Sequence, residues 1–191
     1  MAVNGIEIGF LLDRQWHVLR GEMEGTKRLA LVTLARVLAH AGVPYAIIGG
    51  IALQIHQAEP RTTLDIDLAV PSFEVIPRTA LREAGFSLTG QFSHSENWQG
   101  PENVPVQFTD DPALLAAVSR AIQVELADVP LRVIGRIDLL HEKLRDGTDP
   151  ARRRSKRLQD LADAQALLEE TPELRTELSQ SEQAVLAALP S

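Results

Sequence analysis

Two short motifs carry the residues with chemistry to offer. The first is Asp65-Ile66-Asp67, set in the alternating run Leu64 to Val70 that Pro71 closes. On a strand, residues two apart face the same side, roughly 6.6 Å apart at a rise of ~3.3 Å per residue, so both carboxylates share one face. Aspartate is disfavoured in strands and like charges repel, which makes the pair costly unless a cation sits between the side chains. Mg²⁺ suits it, because it takes hard oxygen ligands and is commonly held by one or two carboxylates together with substrate phosphates. The competing reading puts one or both aspartates in water at a strand end. The second motif, Gly49-Gly50, lies between an apolar run and a short helix. Backbone amides at a helix N-terminus approach a phosphate there because no side chain intervenes, although two glycines also make a tight strand-to-helix turn. Combined, the motifs provide what phosphoryl or nucleotidyl transfer needs: a cradle for a triphosphate, and metal ligands that neutralise charge and align attacking and leaving oxygens.

Hydrophobic periodicity predicts the elements that must position these motifs. Leu29, Leu31, Val32, Leu34, Ala35 and Leu38 recur at helical spacing, so Thr26 to His40 reads as a helix ended by Gly42 and Pro44. Tyr45 to Ile48 suits a buried strand, Ile51 to Gln57 a short helix, and Phe73 to Glu83 a longer one stopped by Gly85. Gly90, Gly100, Pro101 and Pro105 break the middle into loops and short strands, with Val104 to Phe108 the clearest strand. Asp111-Pro112 fits an N-cap followed by proline at the first helical position, opening a helix to about Ile122. Val124 to Ile134 holds two strand candidates around Pro130, and from Ile137 the chain is helical almost to its end, interrupted near Gly147 to Pro150 and at Thr171-Pro172. The expected class is α/β (α+β), with an α/β core over 1–135 and a helical region over 136–191 packed against it.

Within the helical half, Ile137, Leu140 and Leu144 form an apolar stripe with Lys143 at its edge. Its stem lies on apolar surface, and the ammonium either reaches into a cleft or snorkels to water. Arg153, Lys156, Asp160 and Asp163 fall on one polar face opposite Leu158, Leu161 and Leu168. A solvated face with local ion pairs is the plain reading. Such pairs are worth only ~0.3 to 0.5 kcal/mol, and Lys156 ahead of Asp160 is the poorer orientation.

Composition bounds the rest. The chain has 191 residues, 45% of them hydrophobic, enough for one domain with a core or one with a helical extension. It has no cysteine, which excludes disulfides, thiolate zinc sites and cysteine nucleophiles and fits a reducing compartment. Met1 to Arg20 lacks the cationic flank and continuous apolar stretch of a signal peptide, and nothing later approaches the ~20 apolar residues of a membrane helix, so a soluble cytoplasmic protein is expected. A net charge of −7 argues against a dedicated duplex binder, but Arg152-Arg153-Arg154-Ser155-Lys156-Arg157 concentrates cations locally. His17, His40, His94 and His141 show no metal-ligand spacing, and no Gly-x-Ser-x-Gly elbow supports hydrolase chemistry.

The stretch from Tyr45 to Val70 resembles the signature of the polymerase-beta-like nucleotidyltransferase superfamily, and is most similar to its AbiEii-type members, some of which are toxins of toxin-antitoxin pairs. Gly-Gly is followed by His56, Arg61, Thr63 and then Asp65 and Asp67. Downstream, a lysine-bearing helix with Lys143 and a basic helix with Lys156, Asp160 and Asp163 continue the likeness, which spans Gly42 to Glu169. The resemblance implies a core with a mixed sheet flanked by helices and transfer of NMP from an NTP to a hydroxyl acceptor on tRNA or protein. Mg²⁺ or Mn²⁺ would be held by Asp65 and Asp67. Gly49, Gly50, Arg61, Thr63, Lys143 and Lys156 would bind nucleotide, Asp163 or Asp160 would play a catalytic or orienting part, and a cognate antitoxin would be a partner. One position departs from the pattern. Many polymerase-beta-like enzymes carry a third carboxylate on the strand Val104 to Phe108, where this chain has Gln107. Asp110 and Asp111 lie just beyond, Asp111 fitting a helix cap better than a metal ligand. A catalytically inactive nucleotide-binding or protein-interaction module of the same fold is the alternative.

Overall fold

In the computed structural model, which describes residues 3–19, 27–58 and 62–189, the chain opens with two helices, α1 (Val3–Leu19) and α2 (Lys27–His40). α2 keeps the helical period, with Ala30, Leu31, Leu34, Ala35 and Leu38 buried on one side. The apolar run after Pro44 becomes β1 (Ala46–Ile48), all three residues buried, and leads through the paired glycines into α3 (Gly49–His56). The Asp-x-Asp segment becomes β2 (Ile66–Ala69), shorter than the alternation suggests, so Asp65 sits in the bend just before the strand.

The single helix expected over Phe73 to Glu83 is split into a 3-10 turn at Phe73–Val75 and α4 (Arg78–Glu83). Pro77 separates them, since it has no N–H to donate and its ring obstructs the preceding turn. Three strands follow, β3 (Ser87–Gln91), β4 (Glu96–Gln99) and β5 (Pro105–Thr109). Asp111 does cap, accepting from the Ala113 amide at 2.9 Å, but the helix it opens is brief. A 3-10 turn at Pro112–Leu114 runs into α5 (Leu115–Ser119), and Ile122 already belongs to a strand. β6 (Ile122–Leu126) and β7 (Val129–Val133) form a hairpin whose two turn residues, Ala127 and Asp128, both have positive φ. α6 (Arg136–Thr148), α7 (Arg154–Glu170), a 3-10 turn at Pro172–Glu177 and α8 (Gln180–Ala187) complete the chain.

The seven strands make one mixed sheet in the order β3-β4-β5-β2-β1-β7-β6. β2, in the middle, is antiparallel to β1 with Asp67 opposite Ile48, and parallel to β5 with Asp67 opposite Gln107. β1 runs parallel to β7, joined where Ile47 meets Val133. The core joins Leu34 and Leu38 of α2, Leu53 of α3, Ile66 and Leu68 of β2, and Leu140 and Leu144 of α6. Among the described residues no helix is long and apolar enough to cross a membrane.

Candidate active site

The turn between β1 and α3 sets the floor of a cleft of about 390 Å³. Gly49 has φ +61, a conformation that L side chains rarely adopt, and a Cβ there would stand 2.4 Å from Asp67 Oδ2. A Cβ on Gly50 would meet Thr63 Oγ1 at 2.3 Å. Both glycines are therefore required for the carboxylate and the threonine to lie against the backbone. α3 starts here without a side-chain cap from Ile48, so its first-turn amides are available to an anion.

Asp65 and Asp67 both line this cleft. Thr63 Oγ1 donates to Asp65 Oδ1 at 3.0 Å, which fixes that carboxylate from behind. Burial raises the Asp67 carboxyl to about 7, the charge of Asp65 adds to the rise, and Lys143, Lys156 and Arg152 oppose it. Two hard oxygen donors in mutual repulsion fit a divalent cation such as Mg²⁺ or Mn²⁺. Among the described residues no three His, Cys, Asp or Glu side chains cluster as a metal cage. Gln107 lies beside Asp67 in the sheet and also lines the cleft, so the neighbouring strand brings an amide where a third acid would stand.

The opposite wall comes from α6 and α7. Lys143 neither snorkels nor ends free in the cleft: it is buried, with Nζ 2.8 Å from Asp160 Oδ1 and 3.5 Å from Asp163 Oδ2. Of the readings open for this face of α7, the solvated one with local ion pairs does not hold for its two aspartates. Asp160 and Asp163 are 4% and 6% exposed, turned inward onto α6, while Leu158 is 56% exposed. Asp160 takes Lys143 and Arg152 as ion partners rather than Lys156, its helical neighbour. Arg152 also pairs with Asp146 at 2.6 Å, and Arg145 joins Asp146 at 3.5 Å to Asp111 at 2.7 Å. A chain of alternating charge thus runs from the end of β5 to α7.

Of the sequence-derived candidates, Gly49, Gly50, Thr63, Asp65, Asp67, Lys143, Lys156 and Asp160 line the one cleft. Asp163 stands behind Lys143, and Arg61 lies outside the described residues. His56 is a packing residue, its Nε2 2.6 Å from the Ile134 carbonyl and its imidazole held neutral by burial against the favourable bond. Glu142 and Asp146, one residue before and three after Lys143, also line the cleft, although no motif in the sequence marks them. Glu142 is 7% exposed, lines the cleft, and has Oε2 without a hydrogen-bond partner. Burial raises it to about 8, Lys143 opposing and Asp146 and Asp67 adding.

A raised carboxyl binds its proton longer in the folded chain, so Glu142 opposes folding progressively as pH climbs from its ordinary 4.5 to about 8. Glu142→Gln is therefore expected to match wild type in thermal unfolding at pH 4 and to exceed it at pH 8.5, by on the order of 1–3 kcal/mol. Equal curves at both pH values would remove this carboxyl from the electrostatics of the cleft.

No protein-family profile matches the chain, and no curated protein does. Solved structures do. An antigenic nucleotidyltransferase-like protein from Paracoccidioides brasiliensis is similar at TM-score 0.57 and 22% identity, over 84% of this chain and 86% of that one. The antibiotic-resistance factor ANT(2″)-Ia, solved with adenylyl-2″-tobramycin, is similar at TM-score 0.53 and 15% identity, over 85% and 97%. The Megavirus polyadenylate synthase is similar at TM-score 0.52 and 16% identity, over 87% of this chain and 35% of that one. At these identities the likeness is one of fold.

Proposed function

We propose that this chain, which has the nucleotidyltransferase fold, is a Mg²⁺- or Mn²⁺-dependent nucleotidyltransferase that moves a nucleoside monophosphate from an NTP to a hydroxyl acceptor. The observation that carries the reading is the meeting of Asp65, Asp67 and the Gly49-Gly50 turn on one cleft at the start of α3. The acceptor oxygen bonds to the α-phosphorus, the bond to the β-phosphate bridging oxygen breaks, pyrophosphate leaves, and the acceptor proton passes to solvent. A bound divalent ion supplies charge neutralisation at the phosphates. Asp65 and Asp67 hold that ion. The glycine turn and first-turn amides of α3 receive phosphate oxygens. Lys156 and Arg152 contribute positive field from the far wall, and Lys143 holds Asp160 and Asp163 in place for it.

Exposed Arg153 and Arg154 beside the cleft-lining Lys156 favour an anionic acceptor such as RNA over a neutral one, though a protein hydroxyl stays within the reading. The AbiEii-type assignment, with a toxin role and a cognate antitoxin as partner, rests on the sequence resemblance. The division into a core over 1–135 and a helical region over 136–191 rests on the helical pattern of the chain from Ile137 onward. Gln107 beside Asp67 favours a second reading, a nucleotide-binding module without turnover. Incubation with α-labelled NTPs, Mg²⁺ and total RNA or protein separates the two. Label transfer abolished by Asp65→Ala and Asp67→Ala is expected, and metal-dependent NTP binding with no transfer would establish the module instead.

A further inference from the structure

The two N-terminal helices reach the cleft through a buried ion pair that the proposed chemistry leaves unused. Asp13 on α1 is 1% exposed and Lys27, the first residue of α2, is 3% exposed. Their side chains meet at 2.5 Å. Neither charge stops at the other. Asp13 Oδ1 accepts from the Thr63 amide at 3.0 Å, and Lys27 Nζ donates to the Thr63 carbonyl. Thr63 lies in irregular chain between α3 and β2, so no strand or helix supplies partners for its backbone groups. Both are instead held by charged side chains from elements far away in sequence. The side chain of Thr63 is fixed as well, pressed on Gly50 and donating to Asp65 Oδ1.

A buried ion pair is a poor way to gain stability, because desolvation offsets most of the attraction and apolar residues of similar size fold as well or better. What this pair does that apolar residues do not is grip both backbone polar groups of one residue, on either side of its Cα. We propose that Asp13 and Lys27 are positioning residues of the site: they lock Thr63 so that its hydroxyl aims the Asp65 carboxylate at the cation shared with Asp67. The inference rests on reading Asp65 and Asp67 as the metal pair. It extends the site to α1 and the start of α2, outside the stretch that carries the sequence resemblance.

Mn²⁺ titration of the full chain, followed by the electron-paramagnetic signal of free Mn²⁺, tests it without any turnover. Thr63→Val removes only the hydroxyl, and Asp13→Leu with Lys27→Met replaces the pair by an apolar one. Each is expected to weaken Mn²⁺ roughly tenfold or more, Thr63→Val while unfolding at a temperature near that of wild type, and Thr63→Ser to restore the affinity. Should the double variant fail to fold, Thr63→Val, which leaves the pair in place, carries the test alone. Loss of Mn²⁺ in Asp65→Asn with wild-type affinity in folded Thr63→Val and in the folded double variant would overturn the positioning role and spare the metal pair. Unchanged affinity in Asp65→Asn would overturn both.

Discussion

Asp67→Asn is expected to lower the nucleotidyl transfer proposed for this chain by on the order of 10³, yet to leave the protein more stable at neutral pH. As a ligand of the proposed cation, Asp67 would supply several kcal/mol of charge stabilisation, and ~4 kcal/mol corresponds to ~10³ in rate. The stability change runs the other way. Burial and the neighbouring Asp65 raise the Asp67 carboxyl from its ordinary 3.8 to about 7, so ionising it opposes folding from pH 3.8 upward. Asparagine fills the same space beneath Gly49 without the charge. Label transfer and urea unfolding at pH 4 and pH 7.5 check both halves: activity falls, the unfolding midpoint rises at the higher pH, and the two proteins agree at the lower. An Asp67→Asn protein that transfers at the wild-type rate would end the two-carboxylate mechanism, and one that merely unfolds would make Asp67 a structural acid.

Lys143→Met is expected to cost about 3–5 kcal/mol of folding stability, because it removes the buried ammonium that pairs with both Asp160 and Asp163. Burial on its own would lower the Lys143 pKa, but Glu142, Asp160 and Asp163 more than offset it and hold the ammonium above its ordinary 10.5. The stabilising charge is therefore whole at every pH below 10.5 and fades only above it. Equilibrium unfolding in urea at pH 7 measures the loss. Adding Asp160→Asn to Lys143→Met is expected to recover part of it, since one of the two buried carboxylates that faced the lysine is gone. Wild-type stability in Lys143→Met would return Lys143 to the class of surface lysines lying along an apolar stripe.

Much of the site was readable in the sequence because its parts are local. A strand, two glycines, a helix and an Asp-x-Asp strand follow one another within Tyr45 to Val70, and period-2 and period-3.6 patterns reveal each. What escaped was set by contacts between distant residues. Periodicity shows that Asp160 and Asp163 share a face of α7, but only the packing of Lys143 against them turns that face inward. Nothing near Asp13 or Lys27 in the chain announces Thr63 as their partner. β3 was hidden for a different reason: Ser87 to Gln91 is an edge strand of alternating exposed and half-buried residues, with an irregular register between Leu88 and Gly90, so it lacks an apolar signature.

The pairing of β1 with β7 also governs when the molecule can form. Ile47 reaches its parallel neighbour only at Val133, and the Ile134 amide then donates to the Ile47 carbonyl at 2.9 Å. A ribosome-bound chain that has exposed β1, α3 and β2 still has one edge of β1 unpaired, and must keep it from other strands until the β6–β7 hairpin emerges. Long-range parallel pairing of this kind is slow because loop closure precedes its reward. Chains cut short before Val133 are accordingly expected to aggregate more readily than the full chain, which sedimentation of the two forms would show.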